Sequence, residues 1–205
     1  MVVAINGSPR KDGNTAQMLK AALDKADDLG VDTAFLQVSE AIKELKVPYC
    51  IHCSSPCRGV CYEGTKLEEM FDLLRRADGL ILGSPVYFGT VAAPLKAFWD
   101  KTRRIRKELA LLNVVGGAVA VGGSRFGGQE TTLRAMHDMM LTQGMTLVGD
   151  GHFSGDAGHH GACAQQPAGD DHQVFERTRL LVQRVVEVAR ATADLRRMNR
   201  VAVHG

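Results

Sequence analysis

Four of the five cysteines lie within twelve residues, spaced Cys50-x2-Cys53-x3-Cys57-x3-Cys61. Thiolate sulfur is a preferred protein ligand for soft metal centres, and thiols this close in the chain can meet without help from distant segments. Used together they would hold a 4Fe-4S cluster. Structural zinc, disulfide pairs or four unligated thiols are the other readings of the same residues. His52, inside the loop, is placed to hydrogen-bond a cluster or simply to face water. The fifth thiol, Cys163, stands apart in a polar stretch with His152, His159, His160 and His172. Those residues could form a second metal site, but a flexible polar loop is the simpler expectation.

A second constellation is Gly7-Ser8-Pro9-Arg10-Lys11-Asp12-Gly13-Asn14-Thr15. It joins a short apolar run, residues 2–6, to a stretch with Leu19, Ala22, Leu23 and Ala26 at helical spacing. Such a loop can cradle an anion. Glycines let the backbone approach, N–H groups and the helix dipole favour negative charge, and Ser8, Asn14 and Thr15 can donate hydrogen bonds. Neither the Lys-Ser/Thr ending of a P-loop nor the three-glycine dinucleotide pattern is present, so a phosphomonoester suits it better than a nucleoside triphosphate. Without any ligand, Asn14 or Thr15 would serve only as a helix cap.

The elements that must position these residues alternate between strand and helix. Apolar runs at 2–6, 31–38, 79–83, 114–121 and 146–148 read as strands, and helices are predicted after residue 13 and over 91–105, 130–141 and 173–198. Another helix opens at Thr65 and Glu68, a capping-box pair, and carries Leu67, Met70, Phe71 and Leu74 on one face. In the helix over 130–141, Leu133, Met136, Met140 and Leu141 are the expected buried positions, and Trp99 is expected to pack between helices. Alternation of this kind implies right-handed parallel crossovers and a sheet of order 2-1-3-4-5. Ligands of such sheets bind beyond the carboxyl ends of the strands, which selects the loops after strands 1, 3 and 4. The expected fold is α/β: a flavodoxin-like three-layer sandwich with a five-stranded parallel sheet, one domain over 1–205, with a cysteine-rich insert at 46–64 and a long loop at 151–171.

Three segments also resemble one family. Gly7 to Thr15, the run Gly83-Ser84-Pro85-Val86-Tyr87-Phe88-Gly89 with the following Leu95-Lys96-Ala97-Phe98, and Val121-Gly122-Gly123-Ser124-Arg125-Phe126-Gly127-Gly128-Gln129-Glu130 are similar to the flavin loops of the NADPH-dependent FMN reductase family of flavodoxin-like proteins. The resemblance runs from residue 1 to about residue 150. It implies that Ser8, Arg10, Gly13, Asn14 and Thr15 bind the FMN phosphate. By the same resemblance Pro85, Val86, Tyr87, Phe88 and Gly89 lie along one side of the isoalloxazine ring, and Gly123, Ser124, Arg125 and Gly128 approach its other margin. Tyr87 and Phe88 could instead be core aromatics. The cysteine loop falls where the iron-sulfur flavoprotein branch of the family carries its own compact motif. That branch typically separates its second and third cysteines by two residues, whereas three intervene here.

A formal net charge of +2 lacks the concentrated basic surplus of a duplex-binding domain, and no run approaches the ~20 apolar residues of a membrane span. Neither nucleic acid nor membrane is expected as a partner. The start of the chain has no basic region before a long apolar run, and the cysteines are clustered, so the expected compartment is the cytoplasm. The basic run 101–107 complements a helix C-terminus or docks an acidic partner. Together with the resemblance, these features point to electron transfer from NAD(P)H or a ferredoxin-like carrier through FMN and the cluster, in a homodimer or homotetramer. A cluster-free NAD(P)H:FMN or quinone reductase and a non-enzymatic flavin-binding module are the alternatives.

Overall fold

The computed structural model describes the backbone of residues 1–204 and the side chains of residues 1–199. The elements are β1 (Val2–Asn6), α1 (Asn14–Asp28), β2 (Thr33–Gln37), α2 (Val38–Lys43), α3 (Lys66–Arg76), β3 (Gly79–Tyr87), β4 (Thr90–Val91), α4 (Ala93–Asp100), α5 (Arg103–Lys107), β5 (Val115–Gly122), α6 (Gln129–Leu141), β6 (Thr146–Leu147), β7 (Ala162–Gln165), α7 (His172–Ala191) and α8 (Ala193–His204). β1 and β5 are buried along their whole length, as central strands covered on both faces must be. β1 pairs in parallel with β2 and β3, and β3 pairs in parallel with β5.

The order β2-β1-β3-β5 follows the expected flavodoxin-like arrangement, with the fifth position shared by two short strands. β6 pairs with Val115 and Gly116 at the start of β5, and β7 pairs with Val119 to Gly122 at its end. Between them the chain leaves the sheet and is fastened to α7. Arg177 Nε donates to Asp150 Oδ2 at 2.6 Å, Arg184 Nη1 donates to the Gly151 carbonyl at 2.8 Å, and buried His152 contacts Glu187 Oε1 at 3.3 Å. The loop expected over 151–171 is therefore corrected. Ala162–Gln165 is a strand whose side chains alternate between buried and exposed, and residues 168–170 form a 3-10 turn. Four residues of alternation among glycines and histidines were too short a pattern to stand out.

Two apolar layers enclose the sheet. Leu67, Phe71, Leu95, Phe98, Trp99 and Met136 pack on one face, and Leu19, Leu23, Ile81, Leu181 and Val185 pack on the other. Trp99 does pack between helices, with its Nε1 donating to the Met139 carbonyl at 3.0 Å. Leu141, expected in the core, is exposed, and Met139 takes the inward position.

Other boundaries moved for local reasons. The helix expected over 91–105 begins at Ala93, because Thr90 and Val91 return against β3 as β4, and it stops at Asp100 before the separate α5. The last helix breaks at Thr192, between α7 and α8. Thr65 is the N-cap of α3 but not a capping box: its hydroxyl donates to the Tyr62 carbonyl at 2.6 Å, and Glu68 accepts from the Gly64 amide at 2.8 Å. No helix among the described residues is long and apolar enough to cross a membrane.

Candidate functional site

The first loop leaves β1 through Gly7, whose amide donates to the Gly83 carbonyl at 2.8 Å. A Cβ there would lie 2.6 Å from Leu95 Cβ and 2.8 Å from the Gly83 oxygen, so only glycine allows this contact. Two buried amide side chains set the loop from beneath. Asn6 accepts from the Ser8 amide at 3.1 Å and donates to Gln37 Oε1 at 2.6 Å. Gln37 in turn donates to the Ser8 carbonyl at 2.8 Å and to Ser39 Oγ at 2.7 Å. Ser8 Oγ accepts from the Arg10 amide at 3.1 Å, which leaves its own hydrogen free to be donated.

The N-terminus of α1 has no side-chain cap. Gly13 occupies the N-cap position, and Asn14 Oδ1 instead accepts from the Ala168 amide at 3.1 Å. The ligand-free reading, with Asn14 or Thr15 as the cap, is thereby overturned. First-turn N–H groups with no side-chain acceptor, the positive end of a 15-residue helix and the hydroxyls of Ser8 and Thr15 make a site that favours an anion. Arg10 is exposed at its rim.

The end of β3 and the start of β4 form a two-residue hairpin at Phe88 and Gly89, with φ of +51° and +78°. Two positive φ values fit the right-handed twist of the strands, but they strain a non-glycine such as Phe88. Phe88 is fully exposed and Tyr87 is 43% exposed, which removes both from the core. The Ala92 amide donates to Ser84 Oγ at 3.0 Å, closing the hairpin's return.

The loop after β5 meets the hairpin at Gly128, where φ is +93° and a Cβ would lie 3.2 Å from Gly89 Cα and 3.3 Å from Val86 Cγ1. Thr131 Oγ1 donates to the Gly89 carbonyl at 2.8 Å. Buried Gln129 braces the loop, accepting from the Gly127 amide at 2.9 Å and donating to the Ser124 carbonyl at 2.6 Å. Gly123 lies beside Gln166, whose amide donates to the Gly122 carbonyl at 2.9 Å. The Arg125 guanidinium lies 5.6 Å from the centre of the exposed Phe126 ring. Val86 and Gly89 thus adjoin Gly128, while Ser8, Gly13, Asn14 and Thr15 gather around the first loop. Asn6, Gln37 and the 166–168 strap are not candidates by sequence, and Gln129 stands in the third-loop motif without an assigned role. Of these only Asn6 carried a signal, as a polar residue ending an apolar strand.

A cleft of about 730 Å³ adjoins the third loop, lined by Arg125, Phe126, Gly128, Thr131, Cys163 and Gln165. Surrounding protein first, and the Glu130 and Asp150 carboxylates second, push the Cys163 thiol up to about 12, so it stays protonated.

The cysteine loop packs against the segment joining α4 and α5. Lys101 Nζ lies 3.8 Å from Cys61 Sγ, Arg103 donates to the Ser54 carbonyl and Arg104 to the Arg58 carbonyl, both at 3.4 Å. The basic run has a use not anticipated from sequence, as the wall behind these thiols. Tyr62 is buried edge-on to Phe71, with ring centres 4.9 Å apart, and its Oη has no hydrogen-bond partner among the described residues. Burial first, and Cys57 second, push its phenol up to about 12. All five cysteines are free thiols; Cys50 and Cys57 are half-buried, Cys53 and Cys61 exposed. Among the described residues no three His, Cys, Asp or Glu side chains are arranged to hold a metal ion. The four thiols and their cationic wall nevertheless suit an anionic sulfur centre, because the Lys101 ammonium and the buried Tyr62 phenol there have no oxygen acceptor among the described residues.

A parallel sheet between two helical layers, with an uncapped helix N-terminus beyond its central strand, defines a flavodoxin-like protein. The solved flavodoxin, WrbA-like protein from Agrobacterium tumefaciens has this fold, with a TM-score of 0.67 at 20% identity over 93% of this chain and 96% of that one. The profile of the NADPH-dependent FMN reductase family matches residues 1–160, and the chain belongs to that family of FMN-binding, flavin-dependent oxidoreductases. An iron-sulfur flavoprotein of Methanocaldococcus jannaschii is 40% identical over 195 residues, spanning 92% of this chain and 97% of that protein. Another, from Methanosarcina thermophila, is 40% identical over 158 residues, 75% of this chain and 80% of its own.

Proposed function

We propose that the chain is an FMN-dependent electron-transfer protein that takes electrons from NAD(P)H or a reduced ferredoxin-like carrier and passes them through a 4Fe-4S cluster to an acceptor. The uncapped N-terminus of α1, over a loop held by Asn6 and Gln37, is the observation that carries the flavin part. Ser8, Arg10, Gly13, Asn14 and Thr15 would hold the phosphate. Pro85, Val86, Tyr87, Phe88 and Gly89 would border the ring on one side, and Gly123, Ser124, Arg125 and Gly128 on the other. Bound FMN supplies a centre that accepts a hydride and releases single electrons. Arg125 and the amides of the third loop would favour negative charge on the reduced ring, and no side chain is needed as a general acid or base.

Cys50, Cys53, Cys57 and Cys61 are the proposed cluster ligands, supported by the names of the 40%-identical relatives and by the cationic wall. Free thiols support a reducing, cytoplasmic setting. Exposed Phe88 and Phe126 at the mouth of the site support a homodimer or homotetramer. The thiols are not arranged as a ready metal site, and that favours a second reading, a cluster-free NAD(P)H:FMN or quinone reductase.

Anaerobic purification followed by iron analysis and stopped-flow reduction separates the two. The first reading expects about four irons per chain and flavin reduction by NADPH, NADH or reduced ferredoxin. Iron-free protein with steady NAD(P)H turnover establishes the second, and bound FMN that no donor reduces would leave only a flavin-binding module.

A further inference from the structure

Lys101 is a lysine in an unusual place. Its residue is only 3% exposed, and among the described residues its ammonium makes no ion pair. Among the described residues the one side-chain hydrogen-bond partner of its ammonium is Cys61 Sγ, at 3.8 Å. Taking an ammonium out of water costs several kcal/mol unless a negative partner or a full set of acceptors replaces the water. The C-terminal dipole of α4 does not account for the burial, since an exposed lysine would gain as much from it; Lys96 on the same helix stays exposed and pairs with Asp100 at 2.6 Å.

Tyr62 presents the matching anomaly. Its ring packs against Phe71, and phenylalanine would pack there equally well, yet its buried hydroxyl meets no acceptor among the described residues. Gly59 is shaped around it: at φ +78°, a Cβ on Gly59 would lie 2.8 Å from Tyr62 Oη and 2.9 Å from Arg104 Cδ. Among the described residues, then, Tyr62 Oη is a buried donor without a partner, and the buried Lys101 side chain reaches only a sulfur, that of Cys61. Buried polar groups without partners are rare in proteins and require an explanation.

We propose that Lys101 and Tyr62 are positioning residues for an anionic sulfur centre on the cysteine loop, Lys101 as its buried counter-charge at Cys61 and Tyr62 as a hydrogen-bond donor to its sulfur. The inference rests on the cluster reading given above and goes beyond it in assigning what tunes the centre. One-electron reduction by the carrier adds a negative charge to the cluster. A fixed cation and an O–H donor stabilise the reduced form more than the oxidised one, so both residues raise the reduction potential.

The test is an anaerobic redox titration, followed by electron paramagnetic resonance, of reconstituted FMN-loaded wild type, Lys101→Met, Lys101→Arg, Tyr62→Phe and, as control, Lys96→Met. Lys101→Met is expected to disfavour cluster reduction about tenfold or more, about 59 mV for a one-electron couple. Tyr62→Phe should disfavour it about fivefold. Lys101→Arg should restore most of the lost potential, and Lys96→Met should match wild type. Loss of iron from Lys101→Met alone, with FMN retained and Lys101→Arg loaded, also supports the assignment. Wild-type potentials in both Lys101→Met and Tyr62→Phe overturn it and leave the cluster standing. Wild type that takes up no iron overturns the cluster reading and this inference together.

Discussion

Asn6 and Gln37 show how much of the shape of the proposed phosphate loop is decided by side chains buried beneath it. Their side chains are buried, bonded to each other at 2.6 Å, and between them satisfy the Ser8 amide and carbonyl. Gln37→Ala leaves Ser8 O and Ser39 Oγ short of a partner, while Asn6 Nδ2 keeps the Arg10 carbonyl at 3.3 Å. Each stranded buried group costs about 1 to 3 kcal/mol. We expect Gln37→Ala to lose about 2 kcal/mol of stability in urea denaturation and to weaken FMN about tenfold by isothermal titration. Unchanged FMN affinity would mean that the loop holds its shape without them. Ser8, Asn14 and Thr15 stand out in the sequence as candidates because their types suit anion binding. Gln37, whose partner is 31 residues away, does not, since neither periodicity nor local motif connects the two.

The hairpin of β3 and β4 belongs to the scale of elements. Periodicity predicts a loop after the third strand and a helix from residue 91, whereas Thr90 and Val91 form β4 and the tight turn holds Phe88 at φ +51°. A fully exposed aromatic in a left-handed conformation contributes nothing to the core and carries strain of about 1 to 2 kcal/mol. Phe88→Asn should therefore raise the melting temperature slightly, because asparagine tolerates that conformation. If Phe88 serves the flavin site, the same variant should slow flavin reduction by external donors while leaving FMN affinity near wild type. Lower stability in Phe88→Asn would contradict the strain argument.

The α5 segment offers a test by pH. Burial alone would raise the Glu108 carboxyl, but the Arg75 and Arg104 guanidiniums outweigh it and hold the group below the usual carboxylate range. Its stabilisation is present above the ordinary carboxylate pKa and is lost as pH falls through the lowered folded value. Glu108→Gln should be less stable than wild type near neutral pH, by less than about 1 kcal/mol because water screens the pair. That gap should close in acid when melting is followed against pH; a gap independent of pH would assign the effect to packing. The cysteine loop that this segment backs was visible only as composition, because four thiols, two prolines and two glycines in residues 46–64 carry no period from which a shape could be read.

At the scale of the molecule, the topology followed from alternating apolar runs and long helices, and so did the choice of carboxyl-end loops. The divided fifth strand did not, because β6 has two residues and β7 four, and an intervening excursion held by Arg177, Arg184 and His152 hides that they share one edge of β5. The same chain continues from β7 into the 166–168 strap, which joins the third loop at Gly122 and the first at Asn14. The site is therefore assembled from four strand ends rather than three. Its central feature remains the uncapped end of α1, where the proposed phosphate site would supply a large share of the flavin's binding energy. The most direct measurement is the affinity of the flavin-free protein for FMN against riboflavin, with wild type and Ser8→Ala compared. Charge-assisted bonds to the phosphate should favour FMN at least about a hundredfold, and Ser8→Ala should narrow that ratio without changing riboflavin binding. Equal affinity for FMN and riboflavin would contradict a phosphate site at α1.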